Sequence, residues 1–519
     1  MRIVTPARSE IAAIQHRESA FYWSNCAAGL ARKHGILQVF DARIGANGHA
    51  SNIATRGTDL SGDEIGDLSV FEGPIHSSVL QELAISATMR KAEVLYLFDA
   101  DSRPLGKLNY PAISTRVIPP LNRGTPVKPA DPQAWQCGDE RWNNRTIRYQ
   151  QLDAGTPWTC IAYAGVKKAR PEWPIALSDG RRVVLGAPLL DLVCCGQSFP
   201  PLTESFYADE QSDRLFEIEK WLVAQFLKHC AAAGKSVVRI LEWPARFTSA
   251  LTVRHDYDRT IADEDWDSLL AFYDGLGIRT SMGFPVKTVN ALQMITAAAR
   301  GHEINVHSEA ADVGGFHAEV RRISAASESV PVGMTAHGGH GAAGFLGDVQ
   351  YGWLEDFGML WTEMLRRRTG LPFAVNRIID DAPGPSGLVS FPWHYSLDTG
   401  TSADAHRAAE LEKTIPSLLA DRRHVTLMNH PDIHVDELKK LISGFDLSAT
   451  WCATFREIAE WTKVAKLDSA AVLDEDGSVR IRFPRRLPAA TIVQHLSAQG
   501  ATKEIECEEG CQEVRIPIS

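Results

Sequence analysis

Short apolar runs alternate along this chain with longer segments in which apolar residues recur every three or four positions. From about residue 241 the alternation becomes regular. Apolar or β-prone runs cover Ala250–Arg254, Arg279–Phe284, Glu303–His307, Pro331–His337, Pro372–Ile378, Gly387–Phe391 and His424–Asn429. Helical spacing fills the intervals at Asp265–Leu276, Val286–Arg300, Phe316–Ser327, Tyr351–Arg368 and Asp404–Leu419. Strands separated by helices of this length predict parallel βα units, because a parallel neighbour needs a long crossover. The seven runs fit an incomplete (β/α)7 barrel within residues 241–465, closed by Phe445–Lys463.

The flanks follow other patterns. Ser77–Lys91 has helical periodicity and Ala92–Asp99 reads as a buried strand, an order that suggests an α/β layer. Residues 104–160 are rich in Pro, Asn, Arg and Trp and read as loops. Arg182–Leu190 reads as a strand and turn, and Phe216–Ala233 as an amphipathic helix. Residues 466–519 alternate in short strands such as Ser478–Phe483 and Gln512–Pro517. The expectation is an α/β protein in three parts: an α/β domain over 1–240, the barrel over 241–465 and a small β-rich appendage over 466–519.

Bulk properties narrow the partners. A net charge of −10 over 519 residues offers no basic surface for a phosphate backbone, so no nucleic-acid partner is expected. No apolar run approaches the roughly 18 residues that span a bilayer. Met1–Glu10 lacks the apolar core of a secretory signal, so the expected location is cytoplasmic. Nine scattered cysteines make no disulfide framework, and the Cys507/Cys511 spacing is a weak metal signal without further ligands. Trp135, Trp142 and Trp158 are of a type that stacks on sugar rings, although large aromatics more often serve as packing anchors.

The chemistry gathers where the barrel runs end, the edge at which such folds place active sites. Leu251-Thr-Val runs into Arg254-His-Asp-Tyr-Asp258. In an extended chain residues two apart point the same way, so Asp256 and Asp258 face one side with Arg254 behind them. Two converging carboxylates need a cation or a shared proton. The plain alternative is helix capping before Asp263–Asp265. Gly301-His-Glu-Ile-Asn-Val-His307-Ser308 is a second strand ending in polar residues.

Together these segments resemble the polysaccharide deacetylase superfamily, the NodB-like fold of carbohydrate esterase family 4. The usual members carry a strand-end Asp pair and, about fifty residues on, a GHE-I-x-x-H-S/T segment. Here the matches are Arg254–Asp258, a divergent RHD-x-D form, and Gly301–Ser308, within residues 241–465. The resemblance implies the same incomplete barrel. It also implies a divalent metal, Zn²⁺ or else Fe, Co or Ni, held by Asp258 and His307. Relatives place a second His four residues after the first, where this chain has Ala311. His337, in Thr335-Ala-His-Gly-Gly-His340, is the candidate for the missing ligand, with His340 and Glu309 behind it. The implied activity is hydrolysis of an N-acyl group, typically N-acetyl, from a sugar or precursor glycan by metal-activated water. Asp256 is then the base and His430, in Asn429-His-Pro431, the acid. Arg254, Trp393, His394 and His340 are candidates to bind the carbohydrate or small-amide substrate. A cytoplasmic enzyme would meet a nucleotide-linked sugar, a precursor glycan or another small amide. Two other readings stand beside this one: a lapsed barrel that binds carbohydrate or a protein partner, favoured by Ala311, and a different amidohydrolase such as a deformylase or cyclic amidase. Residues 1–240 resemble the amidotransferase-like layer found before some deacetylases. They show no nucleophile elbow, and a non-catalytic supporting role is expected. The sequence does not specify an oligomeric state.

Overall fold

The computed structural model describes residues 234–517, except 338–347, 364–369, 380–381, 393–394, 398–404 and 475. Before them it describes residues 31–41 and 212–232 and a set of separate strands. The centre is a curled ten-stranded sheet wrapped by helices. Its elements in chain order are β1 Ser249–Asp256, α1 Asp263–Leu276, β2 Ser281–Phe284, α2 Ala291–Ala299, β3 Glu303–Ser308, α3 Val313–Ser327, β4 Gly333–Ala336 and α4 Asp348–Asp356. Then come β5 Trp361–Thr362, β6 Phe373–Ile379, β7 Ala382–Ser390, β8 Tyr395–Ser396, α5 Ala405–Ala420, β9 His424–Asn429, α6 Val435–Ser443, β10 Thr450–Cys452 and α7 Phe455–Thr462. The strand order is β6-β7-β5-β4-β3-β2-β1-β9-β8, with β10 also pairing β1.

All these pairings are parallel except β6 with β7, which is antiparallel. This corrects the expectation that Pro372–Ile378 is another βα strand. Only residues 380 and 381 separate β6 from β7, a hairpin-length link, and a parallel pair needs a crossover of a dozen residues or so. A second correction concerns Tyr351–Arg368. The helix there stops at Asp356, and the chain enters the sheet as β5. Gly358 is the cause: at φ +78° it turns the chain out of the helix, with its N–H bonded to the Glu355 carbonyl and that of Met359 to Leu354.

Side-chain alternation sorts the strands. In β1, Leu251 and Val253 pack outward on Leu269 and Tyr273 of α1, while Thr252, Arg254 and Asp256 face inward. In β3, Ile304 and Val306 join the outer core with Phe316 and Val320 of α3, and Glu303, Asn305 and His307 form the inner row.

The floor of the barrel is filled by Trp361, Phe391 and Phe455, whose rings lie 4.4 to 5.8 Å apart. A Cβ on Gly333 would sit 1.8 Å from the Trp361 ring, so the indole fits only against glycine. Helix α7 points its N-terminus into this floor with every early N–H occupied. Phe455 N–H donates to Ser281 Oγ, Arg456 N–H to Glu303 Oε2 and Glu457 N–H to Thr454 Oγ1, and Glu457 returns a bond to the Thr454 N–H.

Beneath the floor the same core continues through Leu37, Val238, Ile240, Trp243, Val479, Ile481 and Val493. A four-stranded antiparallel sheet supplies part of it, in the order Ile36–Asp41, Lys235–Pro244, Thr491–Leu496, Thr502–Cys507. The boundary expected at residue 240 falls inside the second of these strands. Strand Ser478–Arg482 pairs antiparallel with Ala470–Leu473 on one side and Glu513–Pro517 on the other in a small three-stranded sheet. Toward the N-terminus an eight-stranded sheet sets Arg2–Thr5 parallel to Ala54–Gly57 and Ser69–Phe71 and continues antiparallel to Val127–Pro129. The expected helix Ser77–Lys91 and the residues Trp135, Trp142 and Trp158 lie outside the described residues. Among the described residues no helix is long and apolar enough to cross a membrane.

Candidate metal centre

Five side chains from four strand ends meet at the open edge. Asp256 and Asp258 rise from β1, His307 from β3, His337 from just beyond β4 and His430 from just beyond β9. Asp258 is the hub. Its Oδ2 lies 2.9 Å from His337 Nε2 and 3.4 Å from His430 Nε2, and its Oδ1 lies 3.5 Å from His307 Nε2. Ligand atoms of Asp258, His307 and His337 all fall within 4.8 Å of one another.

Sheet register explains the convergence. The parallel pairing sets His307 beside Thr335 and Ser308 beside Ala336, so His337 stands one step above the His307 level on the next strand. Its N–H donates to the Ser308 carbonyl at 3.0 Å, which holds the chain in line past the formal end of β4. Position 311, where the resemblance expects a ligand, is exposed.

The electrostatics separate the two aspartates. Asp256 is 3% exposed, and burial alone would raise its pKa. The guanidinium of Arg254, and after it His307, outweigh burial and hold the carboxyl down at about 2. Arg254 grips both oxygens, Nε to Oδ1 at 2.8 Å and Nη2 to Oδ2 at 2.5 Å, and its Nη1 pairs with Glu363. Arg254 is itself 1% exposed, so the ion pairs with these carboxylates are shielded from water. Asp258 is more open. Partial burial raises its pKa, but the His430 hydrogen bond and the charges of His307 and His337 bring it below the usual carboxylate range. Burial pushes His307 down to about 4, leaving it neutral near pH 7. The outward residue between Arg254 and Asp256, His255, is fully buried and 2.7 Å from the Tyr273 hydroxyl, so it anchors the strand to α1.

A divalent cation fits this donor set. One carboxylate and two imidazoles are the usual company of Zn²⁺ and its neighbours in the first transition row. Asp258 Oδ1 is buried and has no hydrogen-bond partner among the described residues, an acceptor facing the imidazoles with its capacity unspent. Ligands about 2.1 Å from one ion in a tetrahedron stand roughly 3.4 Å apart, close to the Asp258–His307 separation.

Around these groups stand residues the sequence did not single out. Thr335 Oγ1 lies 2.8 Å from His307 Nδ1. Glu363 is fully buried against Arg254, hidden from sequence reading because its segment has helical spacing. Glu319 of α3 clamps the turn after β3, accepting from the Ser308 hydroxyl at 2.6 Å and the Glu309 N–H at 3.0 Å. Glu309, expected as a reserve ligand, stands 3.1 Å from His337 Nδ1 and 2.7 Å from Lys287 Nζ. His340, Trp393, His394 and the Asp380–Asp381 pair lie outside the described residues.

No family model matches the chain, and no curated protein matches it. Solved structures match part of the chain. A Mycobacterium smegmatis protein named as a polysaccharide deacetylase shares 17% identity over 43% of this chain and 93% of its own, with a TM-score of 0.34. The catalytic domain of a peptidoglycan N-acetylglucosamine deacetylase from Eubacterium rectale shares 11% over 40% of this chain and 89% of its own, at 0.28. A pseudoenzyme of carbohydrate esterase family 4 from Bacillus anthracis shares 10% over 41% of this chain and 65% of its own, at 0.26.

Proposed function

We propose that the protein is a metal-dependent hydrolase that removes an N-acyl group, N-acetyl in the first instance, from a sugar or precursor glycan. The observation that carries this reading is the cluster of Asp258, His307 and His337, with ligand atoms within 4.8 Å of one another. It restores the three-ligand set that Ala311 removes from the pattern the sequence resembles. Asp258, His307 and His337 hold the cation, Zn²⁺ by donor type with Fe, Co and Ni also suited. A cation bound there supplies Lewis acidity, making water nucleophilic near neutral pH and polarising the amide carbonyl.

The chain's own groups do the rest. Asp256 stays ionised because Arg254 pairs with it, so it accepts a proton from the attacking water. The same pairing lowers its basicity, and Glu363 offsets part of the guanidinium's pull by sharing it. His430, half-open at the rim and 3.4 Å from Asp258, holds a proton for the leaving amine. The floor of Trp361, Phe391 and Phe455 closes the barrel from below, so substrate enters from the rim.

Release of acetate from N-acetylated sugars by metal-stripped protein, with and without Zn²⁺, tests the proposal. Metal-dependent release that disappears in Asp256→Ala supports it. A metal-free protein that binds glycans without turnover would establish instead the binding barrel that Ala311 brings to mind.

A further inference from the structure

We propose that Thr335 is a positioning residue for His307 whose hydroxyl serves both tautomers of the imidazole and so frees its Nε2 lone pair for a divalent cation. The inference rests on the reading of Asp258, His307 and His337 as metal ligands.

His307 Nε2 faces two carboxylates, Asp256 Oδ2 at 3.7 Å and Asp258 Oδ1 at 3.5 Å. Without a cation, a lone pair aimed at two anions is repelled, and Nε2 carries the hydrogen. With a cation, Nε2 gives up that hydrogen and Nδ1 must carry one. Its partner must therefore accept from Nδ1 in one state and donate to it in the other. A carboxylate or carbonyl only accepts, and an amide N–H only donates. A hydroxyl does both by rotation. Thr335 places its hydroxyl 2.8 Å from Nδ1. Threonine and histidine are both almost completely buried, at 0% and 2%, so bulk water does not compete for the role.

A separate observation shows that the pair is built in. Gly283 lies beside it on β2, and a Cβ there would stand 3.0 Å from Asn305 Oδ1, 3.2 Å from Thr335 Oγ1 and 3.3 Å from His307 Cβ. Glycine leaves room for the Thr335 hydroxyl and the His307 Cβ, and with them the Asn305 amide. Parallel pairing of β3 with β4, His307 beside Thr335, fixes the contact through the backbone.

The test uses the full chain, stripped of metal and titrated with Zn²⁺ alone against a chromophoric chelator. Thr335→Val keeps the shape and removes the hydroxyl, and should bind Zn²⁺ about 10–100-fold more weakly, the usual cost of losing such a partner. Thr335→Ser should bind like the parent. In the parent itself, long-range ¹H–¹⁵N spectra should show His307 with hydrogen on Nε2 in the metal-free protein and on Nδ1 after Zn²⁺. That measurement needs no variant, so it stands even if Thr335→Val does not fold. Parent-like Zn²⁺ affinity in Thr335→Val, or a His307 tautomer unchanged by Zn²⁺, would overturn the inference while leaving the metal centre intact. A parent that binds no Zn²⁺ overturns the functional reading itself.

Discussion

Glu303→Gln is the substitution whose outcome can be worked most fully. Glu303 sits at the base of β3, wholly enclosed. Its Oε2 accepts from the Ser281 hydroxyl at 2.7 Å and the Arg456 N–H at 3.0 Å, and its Oε1 accepts from Trp361 Nε1 at 2.7 Å. Burial pushes the carboxyl up to about 7 against the pull of these three donors. An ordinary glutamate in the unfolded chain titrates near 4.3. The unfolded chain therefore loses its proton first as pH rises, and the folded protein keeps it longer. The stability this contributes is complete below about pH 4, declines through the interval and is gone above about pH 7. At about 1.36 kcal/mol per pH unit the full swing is roughly 4 kcal/mol, of which about 3 kcal/mol falls between pH 4.5 and 8.

Glutamine has no proton to lose, so the variant lacks the swing. The assay is urea unfolding of parent and variant at matched pH values from 4.5 to 8. Groups that titrate elsewhere affect both proteins alike and cancel in the difference. The difference should move by about 3 kcal/mol in favour of glutamine as pH rises across the window. Its absolute offset is a separate matter, since the amide sets a donor against a donor. A difference that stays flat would refute the reasoning. It would mean that the three donors and the positive end of α7 keep Glu303 ionised throughout, and that burial does not dominate.

Arg254→Met should destabilise the protein by about 3–5 kcal/mol in urea titration, because Asp256 and Glu363 would be left buried without their cation. Adding Glu363→Leu should recover part of that loss. By metal analysis, Asp258→Ala, His307→Ala and His337→Ala should each lose bound Zn²⁺, whereas Asp256→Ala should keep it and lose turnover. Gly333→Ala should lower the melting temperature sharply, since its Cβ would fall 1.8 Å from the Trp361 ring. Gly358→Ala meets open space at φ +78° and should cost only about 1 kcal/mol.

Sequence periodicity carried β1, β3 and β9 because each alternates an apolar outward row with a polar inward one. The inward rows end in the residues that meet at the rim. Two features escaped it. A two-residue strand such as β5 is too short to show a period, and its flanks, Tyr351 to Arg368, keep helical spacing across Gly358. Glu363 was lost with it. The direction of β6 is a property of the link after it rather than of its own residues. The floor was also out of reach: Ser281 and Glu303 are register neighbours on β2 and β3, but only the curl of the sheet brings the start of α7 to them.

On the proposed assignment, His337 takes the place of a ligand at position 311. In a parallel sheet the ends of adjacent strands rise side by side, so a metal above His307 can be reached from the loop after β3 or from the end of β4. Position 311 is exposed on this chain, and a histidine there would first have to turn inward. His337 already stands 2.9 Å from Asp258, aligned by the hydrogen bond to Ser308. Supplying the third donor from β4 therefore requires no change in the backbone of β3, only a side chain at the next strand's end. Ala311 alone is thus weak evidence for a lapsed site. Loss of His337, which removes one of the three donors of the cluster it forms with Asp258 and His307, is the stronger criterion. Restoring a histidine at 311 in a His337→Ala background would recover Zn²⁺ binding only if the loop after β3 could move inward to the same cation.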